Sequence, residues 1–487
     1  MTDAARLAAQ ARASLMRPLL FGVFARALPL TMLGPLLPGI AASLGATLAQ
    51  VGWIVATYAT GSLIAQPIMG RLADERGQKQ IFFACIALFG AGSLASALAT
   101  SLPLLIVGRV VQALGAGGIQ PVATAIIANR LEPQHQGGAI GALYGAFGLG
   151  TMAGALCGGA LVAGAIVFVP RTTGWIAADL TAFPWHLVFW LNVILSVAAA
   201  ALARSLPSDR SRTDRKSLGY DPLGVLLIAA VAAALMVAAT NPDGIAAWGV
   251  AATIVLVALF IIQERRSSAP VIAPDLFASR GPALLYWIAL AFGVPSFTLT
   301  IYSATFLIVR FHASPEQAGV ALFVLATAYV ASAIAGGTLI SRVSFRALLV
   351  CAAVVVALGI VALALSTSAL FAIVAMALGG IGLGLASAPP NALLLRYVKR
   401  ERAGTATGVA SMLATSGAIT APALIGTFLA HWKTGDPSDA LRAALAVCAV
   451  FAVLCAVLAA TLPQPNSVEE RTASPDNRSL GVENVAM

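Results

Sequence analysis

The sequence predicts an all-α integral membrane protein made of two six-helix bundles with two extra helices between them. Three observations predict it. Charge is scarce: 29 Lys+Arg and 19 Asp+Glu serve 487 residues, 59% of the chain is hydrophobic, and mean hydropathy is +0.91. A soluble domain carries about 25% charged and about 45–50% apolar residues. Apolar stretches long enough to cross a bilayer, about 20 residues each, recur fourteen times along the chain. Residue patterns also recur at one fixed spacing. These features exclude a soluble enzyme. They also exclude a nucleic-acid partner, although the formal charge is +10, because the basic residues follow a membrane pattern.

The spans are read near 19–41, 50–70, 80–99, 103–128, 138–162, 186–203, 221–240, 246–263, 283–308, 316–340, 347–366, 369–395, 404–430 and 440–462. Residues 1–18 carry Arg6, Arg12 and Arg17, and the apolar run after them exceeds the 7–15 residues of a signal-peptide core, so no cleaved targeting peptide is expected. Connections on one side hold Arg71, Arg76 and Lys79, then Arg130, Arg204 to Lys216, Arg265, Arg266, Arg280, Arg342, Arg346 and Arg396 to Arg402. The other side holds only Arg171, Arg310, Lys433 and Arg442. The positive-inside rule puts both termini in the cytoplasm of a multi-pass protein of the inner membrane, with the lipid bilayer as its surroundings. The resulting domains are a cytoplasmic N-terminus (1–18), an N-terminal bundle (19–203), a linker with helices 7 and 8 (204–282), a C-terminal bundle (283–462) and a disordered cytoplasmic tail (463–487). Helices 7 and 8 are expected to pack peripherally. Trp175 and Trp185, on the outer loop 163–185, read as interfacial anchors.

The repeat has an offset of 267 residues. It relates Gly70-Arg71-Leu72 to Gly337-Thr338-Leu339, Gln50 and Gly52 to Gln317 and Gly319, and Lys79 to Arg346. Gly115, Gly117, Gly137, Gly141, Gly150 and Gly159 recur as Gly382, Gly384, Gly404, Gly408, Gly417 and Gly426. Six helices per unit preserve direction through the membrane, so the halves have the same topology and a site is expected between them. The five cysteines lie in apolar runs without metal-ligand spacing and the four histidines are scattered, so no metal or cofactor is expected.

Gly70-Arg71-Leu72-Ala73-Asp74-Glu75-Arg76-Gly77-Gln78-Lys79 resembles the loop 2–3 signature of the major facilitator superfamily. Leu105 to Gly117, with Arg109, Gln112 and Gly115, resembles its helix 4 signature. Gly150-x-x-x-Gly154-Ala155-x-x-Gly158-Gly159 resembles the helix 5 signature of its antiporters. Fourteen spans narrow the resemblance to the drug:proton antiporters of that size. Trp53 to Tyr58, Trp185 to Asn192, Asp221-Pro222-Leu223-Gly224 and Glu264-Arg265-Arg266 support it. The resemblance implies a major facilitator fold and multidrug-type export of small amphipathic substrates by alternating access. Proton coupling and a periplasmic adaptor partner are candidates on the same ground. The chain departs from the family in its first helix, where Arg26-Ala27-Leu28-Pro29-Leu30-Thr31-Met32 has no carboxylate, and at Ala155, where a Pro is usual.

The resemblance gives Gly70, Asp74, Arg76, Gly77 and Lys79 a gate role, with Asp74 as a charge latch. Its repeat mate is Ser341, so the latch belongs to one half. Arg26 and Arg109 are cations inside spans, which must face protein or a wet cavity. They are candidates for transport or coupling, Arg109 together with Gln112, with a structural role for Arg109 weighed beside it. Gly150, Gly154, Gly158 and Gly159 form a close-packing face that is expected to join the halves. By family analogy Thr31, Gln120, Thr298, Tyr302, Phe306 and Asn391 line the cavity. Pro389-Pro390 should break the twelfth span. No Asp or Glu lies in the interior of a span, so proton coupling would need an edge group or a proton carried by the substrate. A facilitator or symporter of an organic acid or other anionic metabolite is therefore the alternative reading. No acid–base or nucleophile–base constellation suggests an enzyme.

Overall fold

The computed structural model describes residues 3–33, 36–168, 185–208, 221–240, 245–272, 274–431 and 437–463. All regular structure among them is helical. The first half contains α1 (Asp3–Met32), α2 (Leu37–Leu44), α3 (Leu48–Arg76), α4 (Gln78–Ala97), α5 (Leu102–Arg130), α6 (Pro133–Phe168) and α7 (His186–Ala203). The extra pair is α8 (Pro222–Thr240) and α9 (Ile245–Arg266). The second half contains α10 (Arg280–Phe297), α11 (Ser303–Phe311), α12 (Pro315–Leu339), α13 (Phe345–Ala364), α14 (Ala369–Ser387), α15 (Pro389–Tyr397), α16 (Ala403–His431) and α17 (Pro437–Ala460). Every predicted span falls on a helix or helix pair. Nine helical runs among the described residues are long and apolar enough to cross a membrane.

Local chemistry explains the boundaries. Thr47 and Gln50 form a capping box at the start of α3, and their repeat mates Ser314 and Gln317 form the same box at α12. Pro295 interrupts the ninth span. A π turn over Thr298–Tyr302 follows it and joins α10 to α11. Pro389-Pro390 divides the twelfth span into α14 and α15, as expected. Two expectations are corrected. The first helix begins at Asp3 and ends at Met32, short of residue 41, and the short α2 follows it with Pro38 in its first turn. Trp185 is not an interfacial anchor: it is 3% exposed, and its Nε1 donates to Ser43 Oγ at 2.8 Å. Trp175 and the tail 464–487 lie outside the described residues.

The halves use the same helix pairings, as the repeat requires. α1 packs on α6 as α10 packs on α16, and α4 packs on α5 and α7 as α13 packs on α14 and α17. Between the halves, α3 meets α16 and α6 meets α12. The core records the same division. One buried cluster includes residues of both halves, from Leu15 and Ile126 to Leu393 and Val409, at the end that carries the basic connections. A second belongs to the second half alone and a third to the first half alone. Lipid tails are as apolar as Leu, so hydrophobic burial does little to join these helices; close backbone approach and interhelical hydrogen bonds do more. The extra pair is less peripheral than expected. α8 touches both α3 and α16 over the seam, and α9 is the outer member, with Trp248, Ile254 and Val255 exposed.

Candidate functional site: a latched seam and a central cation

The seam closes at the basic end through two crossings related by the repeat. In one, a Cβ added at Gly70 would overlap the backbone of Gly404, and one added at Gly404 would lie 2.8 Å from Asp74 Oδ1. In the other, between their repeat mates, a Cβ at Gly337 would lie 2.7 Å from the Gly137 carbonyl oxygen and 2.8 Å from Gly141 Cα. Gly148 continues the second crossing against the Tyr329 ring. Only glycine permits these approaches.

The first crossing alone carries a carboxylate. Asp74 accepts hydrogen bonds from Gly404 N at 2.9 Å and from Thr405 N and Oγ1, both at 2.7 Å. These donors belong to the first turn of α16, whose dipole favours an anion. Burial works against the anion and pushes the Asp74 carboxyl up from its ordinary value of 3.8 to about 7, with the three hydrogen bonds opposing. Ser341, the repeat mate, lies just past α12 and, among the described residues, its hydroxyl donates back to the Thr338 carbonyl at 2.8 Å.

The remaining residues of the signature do other work. Gly77, at φ 117°, turns the chain from α3 into α4, a conformation that L side chains rarely adopt. Arg76 is exposed. Lys79 turns to its own half, where its Nζ donates to the Arg204 carbonyl at 3.0 Å and to that of Leu206. Arg71, which the sequence did not single out, holds Glu75 at 2.7 Å, the Ala269 carbonyl at 2.8 Å and the Pro270 carbonyl. Arg402, two residues before Gly404, pairs with Asp275. Glu264 accepts from Val271 N and Ile272 N at 3.2 and 2.9 Å. The connection from α9 to α10 is thus tied to both sides of the latch.

Deeper in the seam lies a polar cluster. Arg26 of α1 donates to the Ala116 carbonyl at 3.3 Å and to Gln120 Oε1, and its guanidinium stands 5.1 Å from the Phe147 ring. Its Nε is buried and finds no hydrogen-bond partner among the described residues. Tyr144 of α6 receives the Asn391 amide of α15 at 2.8 Å, a bond between the halves. Tyr329 of α12 packs its ring against Gly148 of α6, near Arg26 and Tyr144. At 1.5 Å per residue these groups lie roughly 10–15 Å from the basic end, near mid-height.

The other expected site residues are elsewhere. Arg109 is 2% exposed and closed in by its own half: Nε to the Ile54 carbonyl at 3.3 Å, Nη1 to Gln112 Oε1 at 2.6 Å, and the guanidinium 3.9 Å from the Tyr58 ring. Gln112 passes the chain on to Ser93 Oγ at 2.8 Å. This is the structural alternative for Arg109. Thr31 donates to the Thr151 carbonyl at 2.6 Å. Thr298 donates to Cys448 Sγ at 3.2 Å, and Phe306 is fully buried in the core of the second half. Tyr302 packs against that core, half-buried. Gly150 and Gly154 allow close approach, but to α1 in the same half: added Cβ atoms would lie 2.5 Å from Phe24 O and Thr31 Oγ1 respectively. The helical period explains this. Gly148 faces the other half, and two residues further on the helix has turned about 200°. Gly158 and Gly159 continue α6, with surroundings outside the described residues.

Two six-helix halves that share one pairing scheme, joined at one end by close glycine crossings and the Asp74 hydrogen bonds, with a polar cluster deeper in the seam, define a two-bundle membrane protein. The chain belongs to the Major Facilitator Superfamily, whose family model matches residues 19–310 and 283–482; it is a multi-pass membrane protein. An uncharacterized MFS-type transporter of Mycobacterium tuberculosis, Rv1877, is 30% identical over 268 residues, 54% of this chain; the match spans only 36% of that protein's length. The uncharacterized transporter YvkA of Bacillus subtilis is 27% identical over 84% of this chain and 88% of its own. Multidrug resistance protein 3 of Bacillus subtilis is 24% identical over 87% and 80%. Among solved structures, the human organic anion transporter MFSD10 has a TM-score of 0.67 at 14% identity, covering 92% of this chain and 99% of its own. The proton:xylose symporter XylE has a TM-score of 0.65 at 13% identity, covering 93% and 98%. At such identities the likeness is one of fold.

Proposed function

We propose that this protein is a secondary active transporter that exports small amphipathic compounds by alternating access. The observation that carries the reading is the Tyr144–Asn391 bond at the Arg26 cluster, a polar site shared by both halves beneath a closed end. A site at the bundle seam, exposed by rocking one half against the other, is how two-bundle transporters work. The basic connections make the latched end cytoplasmic in the inner membrane, with both termini on that side. This conformation is then the one closed to the cytoplasm, and residues 19–203 and 283–462 are the moving bodies. Asp74 serves as the latch and as the edge group through which protons enter the cycle. The multidrug proteins among the relatives support the export direction.

A second reading, import of an organic acid, is favoured by a central cation with no carboxylate in the interior of any span. Inverted membrane vesicles containing the protein separate the two. Export predicts uptake of fluorescent amphiphiles into inverted vesicles, driven by a proton gradient. Uptake only in right-side-out vesicles would contradict export, and uptake indifferent to the gradient would contradict proton coupling.

A further inference from the structure

The chain carries two arginines in the interior of its spans, and their surroundings differ. Arg109 is enclosed by α3 and α5, with its donors directed at a carbonyl and an amide and its flat face on Tyr58. Arg26 stands at the seam, half-buried, with five N–H donors and, among the described residues, two acceptors, the Ala116 carbonyl and Gln120. Its Nε is buried and finds no hydrogen-bond partner among them. Its repeat mate is Gly293, which α16 covers closely, so the second half has no matching charge. A buried guanidinium is costly unless paired and hydrogen-bonded. No carboxylate of the chain lies in the interior of a span to pair it. The second half offers neutral polar groups instead, the Asn391 amide and the Tyr329 hydroxyl, and Phe147 supplies an aromatic wall.

We propose that Arg26 is the charge-selecting residue of the central site and that its ligand is an organic anion, a carboxylate or sulfonate on an aromatic or apolar body. The anion pairs with the free guanidinium edge, whose fork matches two oxygens. Its body lies along Phe147, and its far side meets Tyr329 and Asn391. Ligand binding thereby touches both halves at once and bridges α1 to α12 and α15. A cation in the same place meets an uncompensated positive charge and no carboxylate. This inference deepens the transporter reading and rests on it only for movement, so binding is tested apart from transport.

The test uses the full chain in phosphatidylcholine nanodiscs. Two probes on one ring skeleton are titrated by fluorescence anisotropy: fluorescein, an anion at neutral pH, and tetramethylrhodamine methyl ester, a cation. Fluorescein is expected to bind, to be displaced by benzoate and not by benzylammonium, and to bind at least about tenfold more tightly than the rhodamine ester. Arg26→Gln is expected to weaken fluorescein binding by about tenfold or more, and Arg26→Lys by less. Should Arg26→Gln fail to fold, Arg26→Lys and the benzoate competition on the unaltered protein still decide. No fluorescein binding to the unaltered protein, equal binding of the two probes, or full binding by folded Arg26→Gln would each overturn the proposal. Discs containing phosphatidylglycerol test the other source of anions. Unchanged affinity supports a soluble ligand, and competition by that lipid would reassign Arg26 to headgroups and overturn it. Anion binding without vesicle uptake would leave the site standing and defeat the transporter reading.

Discussion

At Gly70 a single hydrogen atom stands between two helix backbones, and Gly138, beside the other crossing, has nothing within 4 Å of an added Cβ. The pair makes a controlled prediction. Gly70→Ala forces α3 from α16 at a cost above about 1–3 kcal/mol, so the closed population should fall by about tenfold or more. Gly138→Ala should behave as wild type. Cross-linking between cysteines introduced on α3 and α16 reads both. Arg109 gives a second prediction at this scale. Removing its side chain takes the donor from Gln112 Oε1 and leaves a cavity, at about 3 kcal/mol or more. Arg109→Ala should lower the unfolding temperature, and transport per folded molecule should show an unchanged KM. A raised KM in a stably folded Arg109→Ala protein would restore it to the substrate path.

The helices decide what these residues face, and much of the site was hidden from the sequence for that reason. In a soluble helix the apolar stripe marks the inward side. In α5, and from α10 through the π turn to α11, most positions on every side are apolar or small, so Thr298, Phe306 and Arg109 gave no sign of the face they occupy. The fixed offset of the repeat was legible because glycine at a crossing tolerates no substitute. It did not say whether Gly150 met the other half or its own α1. Gln120 and Asn391, expected at the cavity by family analogy, do lie in the central cluster. The grip of Arg71 on the α9–α10 connection was not, since its partners there are backbone carbonyls.

Two predictions belong to these elements. Burial in the closed latch pushes the Asp74 carboxyl up to about 7, whereas an exposed carboxyl keeps its ordinary value of 3.8. The closed state therefore holds the proton more tightly. Its advantage is complete below about pH 4, declines as pH rises to about 7, and is flat above. Asp74→Asn should remove that dependence, measured as closed population against pH. Arg71 and Arg402 hold one connection from opposite sides of the latch. Removing either frees it, so the double variant Arg71→Ala/Arg402→Ala should loosen the latch no more than the stronger single variant. An additive double-mutant cycle would show two independent contacts.

For the whole molecule, the repeat constrains the motion. Two crossings related by the same offset, Gly70 with Gly404 and Gly337 with Gly137, close one end, and two further large buried clusters each stay within one half. A rigid rocking of the halves must open both crossings together, although only one has a carboxylate latch. Spin labels at the exposed positions Arg76 and Lys399 report one crossing, and labels at Gln134 and Arg342 report the other. Electron–electron distance measurements on both pairs, with and without bound fluorescein and at pH values on either side of the Asp74 transition, test this directly. The two distances are expected to lengthen together, in the same fraction of molecules. One pair opening while the other keeps its closed distance would contradict the account.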